Sequence, residues 1–207
     1  LDLAAQLAHV LLGAGQLASP GGSLLDVSRA AAKAPDPRDP VPRDLLLDGL
    51  AQLFTEGRVA SAPVLRRAVD AFVSTEVSPE EMLRWGWVAS RAANILWDYD
   101  SSLEISMRAV QVARDHGALE VLVLVDNACG QAAAVGGDLA TAVVFTTELD
   151  AVKEATGWRI APLAALALAG IRGQQPGASQ LIDQVIVGAT AQGQGVGPVR
   201  HGSREPH

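Results

Sequence analysis

Residues 119–125 read LEVLVLV and run directly into DNACGQAAAV, which ends at position 135; whether this stretch is strand or helix decides the fold. Taken alone it leans to strand, because β-branched side chains lose χ1 freedom against the preceding turn of a helix. Two further runs share the ambiguity, AVVF at 142–145 and LIDQVIV at 181–187. Their surroundings favour helix. Each lies inside a longer segment bounded by helix-stopping glycines: Gly117 before 119–135, Gly136 and Gly137 after it, Gly157 after 139–156 and Gly193 after 178–192. Tertiary packing overrides a propensity worth less than about 1 kcal/mol per residue. The expectation is helix over all three runs, and a sheet through 121–125 or 143–145 would overturn it.

The same punctuation recurs on the N-terminal side. From position 43, Leu46, Leu47, Leu50, Leu53 and Phe54 share one helical face; a turn at Glu56-Gly57 follows, and Val59, Ala62, Leu65, Ala68, Val69 and Phe72 form the next face. Ser78-Pro79-Glu80-Glu81 is the best-marked helix start, with serine as N-cap, proline at the first helical position and Glu81 as reciprocal partner of a capping box. That helix is expected to reach about Trp97. Asp98-Tyr99-Asp100 makes a turn, a helix over 101–116 follows, and the pairs 119–135 with 139–156 and 161–171 with 178–192 complete the pattern. Turns at Gly57, Asp98, Gly137 and Gly173 and closing glycines at Gly117, Gly157 and Gly193 give steps of roughly 36 to 41 residues, the size of helical repeats. The expected fold is all-α: antiparallel helix-pair repeats over 43–195, forming a tetratricopeptide-like (TPR-like) superhelix in which each pair is stable because its neighbours bury its apolar face.

Three segments flank that array. Residues 1–33 read as a helical lead-in, with Leu3, Leu7, Val10 and Leu11 on one short helix and a second over 23–33. Residues 34–42, APDPRDPVP, hold four prolines and read as a linker. Residues 196–207, rich in Gly, Pro, His and Arg, are expected to be a disordered tail. Both ends of the chain read as cuts.

Composition narrows the function classes. The 207 residues are 49% hydrophobic but only 4% aromatic, a balance suited to close helix-on-helix packing. A net charge of -7 repels phosphate, so direct nucleic-acid binding is not expected. Arg66-Arg67, the one adjacent basic pair, reads as a solvated face. The single Cys129 excludes an internal disulfide and reads as a buried thiol in a reducing compartment. No basic start, apolar run and small-residue cleavage site mark a signal peptide, and the longest apolar uncharged run, 160–171, is shorter than the roughly 20 residues that span a bilayer. The expectation is a soluble cytoplasmic protein.

No constellation amounts to a chemical site. Gly13-Ala14-Gly15-Gln16-Leu17-Ala18 fits the loose dinucleotide pattern but is followed by Ser19-Pro20-Gly21-Gly22 instead of a helix, and Gly193-Gln194-Gly195-Val196-Gly197 runs into Pro198. His9 and His116 lack a second ligand at helical spacing, and His201 and His207 lie in the tail. Glu80 and Glu81 are explained by capping, Asp98 and Asp100 by turn chemistry. Trp85, Trp87, Trp97 and Tyr99 concentrate much of the aromatic content in one hairpin; Trp85 and Trp87 point to different faces, and core packing is the expectation, an exposed anchor for a partner the alternative. No residue is assigned a catalytic, cofactor-binding or metal-ligating role.

One resemblance adds to this reading. RDLLLDGLAQLFTEGRVASAPVLRRAVDAFV at 43–73, EEMLRWGWVASRAANILWD at 80–98, the repeat ends ARDHGA and KEATGW, and the earlier GGSLLDVSRAAAKAP together resemble the central helical region of large actinobacterial LuxR-type transcriptional regulators of MalT-like plan. The resemblance spans about 1–195 and lies in phrases, not in a catalytic motif. It implies an ATP-binding domain of the STAND type before this region and a DNA-binding helix-turn-helix after it, so ATP belongs to the full-length family and no cofactor to this chain, which has no G-x-x-x-x-G-K-[ST] loop. The expected function is a sensor or scaffold that binds a small-molecule effector or protein partner on the repeat surface and is not an enzyme. A stand-alone protein-binding adaptor and a small α-helical enzyme are the alternatives.

Overall fold

LEVLVLV lies inside one unbroken helix, Leu119–Val135, and no strand occurs among the described residues. The computed structural model describes residues 24–33, 40–74, 77–157, 160–173 and 178–191. Within them the helices are α1 (Leu24–Ala31), α2 (Pro42–Thr55), α3 (Arg58–Val73), α4 (Pro79–Ile95), α5 (Tyr99–Asp115), α6 (Leu119–Val135), α7 (Leu139–Thr156), α8 (Leu163–Arg172) and α9 (Ala178–Ala191). The all-helical expectation holds, and the two valine-rich helices α6 and α7 have the bounds the flanking glycines suggested.

The differences fall at boundaries. Pro42 was expected to close the linker, yet it is the first residue of α2: proline has no N–H to leave unbonded there, and the Val41 N–H is taken by Asp44 Oδ2 at 3.1 Å. The helix expected to reach Trp97 ends at Ile95, because Trp97 enters the left-handed region at φ 62°. The next helix begins at Tyr99, two residues early, since Asp98 serves as its N-cap and accepts from the Ser101 N–H at 3.1 Å. The short helix expected over 23–33 spans Leu24–Ala31. The helix expected over 161–171 is Leu163–Arg172, and α9 ends at Ala191. The helix expected over 2–12, the tail at 196–207 and positions 34–39 of the linker lie outside the described residues.

Each helix packs on the next, and helices two apart also touch: α2 with α4, α3 with α5, α4 with α6 and α6 with α8. The lead-in helix α1 rests on α2, so it joins the array instead of standing off from it. Positive φ recurs at forty-residue steps: Gly57, Trp97 and Gly137 adopt it (93°, 62° and 93°), as do Gly117 and Gly157 (63° and 73°). Asp98 and Asp138, also forty apart, cap α5 and α7 in the same way, Asp138 accepting from the Thr141 N–H at 3.0 Å.

A continuous apolar core runs from Leu46 and Leu50 of α2 through Phe72, Met82, Trp85, Ile105 and Val125 to Phe145 of α7. Ala133, Ala134, Ala142 and Leu168 form a second, smaller cluster towards α8. Small residues set the spacing. A Cβ on Gly130 of α6 would stand 2.8 Å from the Ala164 Cβ of α8, so the two backbones approach more closely than any side chain at 130 permits. Polar groups cross the layers as well: Ser90 Oγ of α4 lies 2.8 Å from Ser102 Oγ and 2.7 Å from Ser106 Oγ of α5. From α5, Arg108 Nη1 donates to the carbonyls of Phe72, Val73 and Ser74 at 2.9, 2.9 and 2.7 Å, satisfying the open end of α3. Arg108→Ala is expected to lower unfolding stability by about 1–2 kcal/mol, the loss of a charged hydrogen-bonding group from part-buried carbonyls. Urea titration checks it, and an unchanged midpoint would contradict it.

Candidate functional site

On α4, Trp87, Val88, Arg91, Asn94 and Ile95 are spaced by helical steps and therefore share one stripe. That stripe lines a cavity of about 220 Å³, closed on one side by Leu50 of α2 and on the other by Gln131 of α6. Three helices that the sequence separates by about forty residues thus supply one wall each. Leu50, Trp87, Val88 and Ile95 make most of the lining apolar; Arg91, Asn94 and Gln131 are its polar members.

The polar members are unusually placed. Arg91 donates from Nη1 to Gln131 Oε1, and among the described residues no carboxylate lies within ion-pair distance of its guanidinium. Partial burial holds its pKa below the ordinary arginine value, as desolvation disfavours the charged form. Asn94 is part-buried, but its Oδ1 and Nδ2 are both shielded from solvent and neither has a hydrogen-bond partner. Since nearly all buried polar groups are paired, an amide with donor and acceptor both unused is exceptional. Nothing in the lining is a nucleophile or a base near neutral pH; the arrangement can hold a ligand, orient it and balance a negative charge.

A second polar group lies on another face of α6. The Asp126 carboxylate is fully buried, and neither oxygen has a hydrogen-bond partner. Burial pushes its pKa up from 3.8 to about 7; Glu148 adds to the rise and Arg114 opposes it. Arg114 of α5 and Glu148 of α7 are themselves bound to each other, Arg114 Nε donating to Glu148 Oε1 at 3.2 Å. Next along α6, Asn127 serves the start of α8: Nδ2 donates to the Ala161 carbonyl at 2.9 Å and Oδ1 accepts from the Ala164 N–H at 3.0 Å. It supplies the cap that Pro162, at the N-cap position, has no side-chain group to give.

The residues weighed from sequence fall as follows. Trp85 is buried in the core, and Trp87 is buried while lining the cavity. Trp97 is 67% exposed; its ring stands edge-on to Tyr99 at 6.0 Å, and the Arg58 guanidinium lies 5.3 Å from its centroid. Core packing therefore describes two of these three tryptophans. His116 is exposed, its Nδ1 2.8 Å from the Val112 carbonyl. Ser78 Oγ accepts from the Glu81 N–H at 3.2 Å, one half of the reciprocal capping box expected there. Arg66 and Arg67 are exposed, and Cys129 is a buried thiol whose pKa burial drives upward. Gly13 to Ala18, the glycines from 193 to 197, His9, His201 and His207 lie outside the described residues. Arg91, Asn94, Gln131 and Asp126 went unnoticed in the sequence. The available signal was an arginine and an asparagine four and seven positions after Trp87, polar steps on a stripe that also carries Val88 and Ile95.

No protein-family model, curated protein or solved structure matches the chain. Among the described residues no group of three or more His, Cys, Asp and Glu is placed to hold a metal ion, and no helix is long and apolar enough to cross a membrane.

Proposed function

We propose that this chain is a helical-repeat module that holds an effector on the face shared by α2, α4 and α6 and transmits occupancy along the array. The observation that carries the reading is the unspent amide of Asn94 near the Arg91 guanidinium, which has no carboxylate partner among the described residues, in a cavity whose walls come from three successive helix pairs. A ligand touching all three walls binds one relative placement of those helices better than another, and that difference in affinity is what shifts a conformational equilibrium. The forty-residue recurrence of turn geometry and the contacts between helices two apart support a TPR-like superhelix of antiparallel pairs. The phrases resembling LuxR-type regulators give the module its proposed setting, a cytoplasmic sensor between an ATP-binding and a DNA-binding domain.

The test is the coding sequence on either side of this region. A phosphate loop upstream and a helix-turn-helix downstream are the expected finding; their absence on both sides would remove the regulator reading. The polypeptide of residues 1–207 is further expected to show neither ATP hydrolysis nor specific duplex binding. The second reading, a protein-binding adaptor, draws on Trp97, an exposed aromatic held in place by Arg58 and Tyr99.

A further inference from the structure

The cavity between α2, α4 and α6 carries an unbalanced charge in a defined place. The Arg91 guanidinium is part-buried and bound to a neutral amide oxygen, and folded proteins normally pair a cation that has given up part of its hydration with an anion. Here the counter-charge is missing among the described residues, while Asn94 beside it leaves both a donor and an acceptor unused. We infer that the cavity is a binding site for a small monocarboxylic acid with an apolar body, an inference that rests on reading this face as the ligand-holding one. Each part of the occupant answers to a wall. One arginine balances one negative charge, and its planar fork matches a carboxylate better than a point charge would. Leu50, Trp87, Val88 and Ile95 leave an apolar surface for the body of the molecule, which a bare inorganic anion would not cover. A hydroxyl next to the carboxylate would both donate to and accept from the Asn94 amide. The volume of about 220 Å³ falls below the roughly 300–1,000 Å³ of drug-sized ligand sites, so the occupant is small.

The experiment uses the protein of residues 1–207, isothermal titration calorimetry and thermal unfolding, with isocaproate, α-hydroxyisocaproate and the neutral isocaproamide as probes. Saturable binding of both acids is expected, with the hydroxy acid tighter and the amide at least about tenfold weaker than isocaproate. Arg91→Met is expected to weaken isocaproate at least about tenfold without lowering the unfolding midpoint of the free protein, because methionine keeps the apolar stem and the charge it removes has no carboxylate partner among the described residues. Asn94→Leu should abolish the preference for the hydroxy acid. Equal affinity for isocaproate and isocaproamide, no saturable binding of either acid, or a lowered midpoint in Arg91→Met would each overturn the inference, the last by making Arg91 a structural residue. So would binding of a peptide through its free terminal carboxylate where isocaproate fails. A phosphate loop and helix-turn-helix in the flanking sequence, found together with no carboxylate binding, would leave the regulator reading standing and remove the ligand class alone.

Discussion

Gly130→Val is expected to cost the fold about 3 kcal/mol or more, over half of the stability of a protein near the low end of the usual range of about 5–15 kcal/mol. A Cβ at 130 would sit 2.8 Å from the Ala164 Cβ, 3.4 Å from the Phe145 Cβ and 3.5 Å from the Ala142 carbonyl oxygen. None of these atoms can rotate away, because each is fixed by its own backbone; α8 or α7 would have to move as a body. Gly86 is the control. A Cβ there meets Met82 Sδ at 2.8 Å and the Ala109 Cβ at 3.1 Å, and the first is the far end of a flexible side chain. Gly86→Ala also gains up to about 1 kcal/mol of helix propensity, so its net effect is expected within about 1 kcal/mol of zero. Urea unfolding of the two variants beside the parent separates the cases. A Gly130→Val protein as stable as Gly86→Ala would mean that α6 and α8 do not cross where described.

Asp126→Asn carries the second large effect, and it depends on pH. The buried carboxyl ionises near pH 7 when folded and near 3.8 when unfolded. Below the lower value both states hold the proton and the group contributes nothing to the pH dependence. Between the two, the folded state keeps a proton that the unfolded chain has released, so stability falls as pH rises, by up to about 1.4 kcal/mol per unit. Above about 7 both states are ionised and the loss is constant. The groups around it set the balance: Glu148 on α7 opposes ionisation, Arg114 on α5 favours it, and the Cys129 thiol on the same helix stays protonated. Asparagine removes the charge at nearly the same volume. The variant is expected to match the parent near about pH 4 and to exceed it by about 2–4 kcal/mol near about pH 8, allowing for some relaxation around the ionised group. Unfolding midpoints across that range decide it; a gap of the same size at both ends would show that Asp126 does not titrate in this interval.

Legibility in the sequence divided along one line: whatever depends on neighbours within a few residues could be read, and whatever depends on neighbours a repeat away could not. Glycines and capping residues are local, so α6 and α7 were bounded correctly despite their valines, and the starts at Pro79 and Ala178 were right. Trp97 was misread because left-handed backbone at a tryptophan has no sequence signature; glycine at 57 and 137 announces the same turn, and tryptophan at 97 conceals it. Arg91 meets Gln131 forty positions on, Asn127 caps a helix whose first residue is Leu163, and Arg108 closes one that ended at Val73. None of those pairings is visible along the chain, so the polar cavity and the buried aspartate came only from the three-dimensional arrangement. The LuxR-type setting rests on the resemblance of phrases and on nothing the helices themselves display.

The left-handed residues at 97 and 137 and the capping aspartates at 98 and 138 make these two junctions alike: a duplication or loss of forty residues between them would rejoin a helix to the same kind of bend it had before. Such a chain changes size in whole links. A link removed between α2 and α6 would bring a different trio of residues to the cavity wall without altering how the bends are built, so the lining of the cavity and the architecture around it are set by different residues.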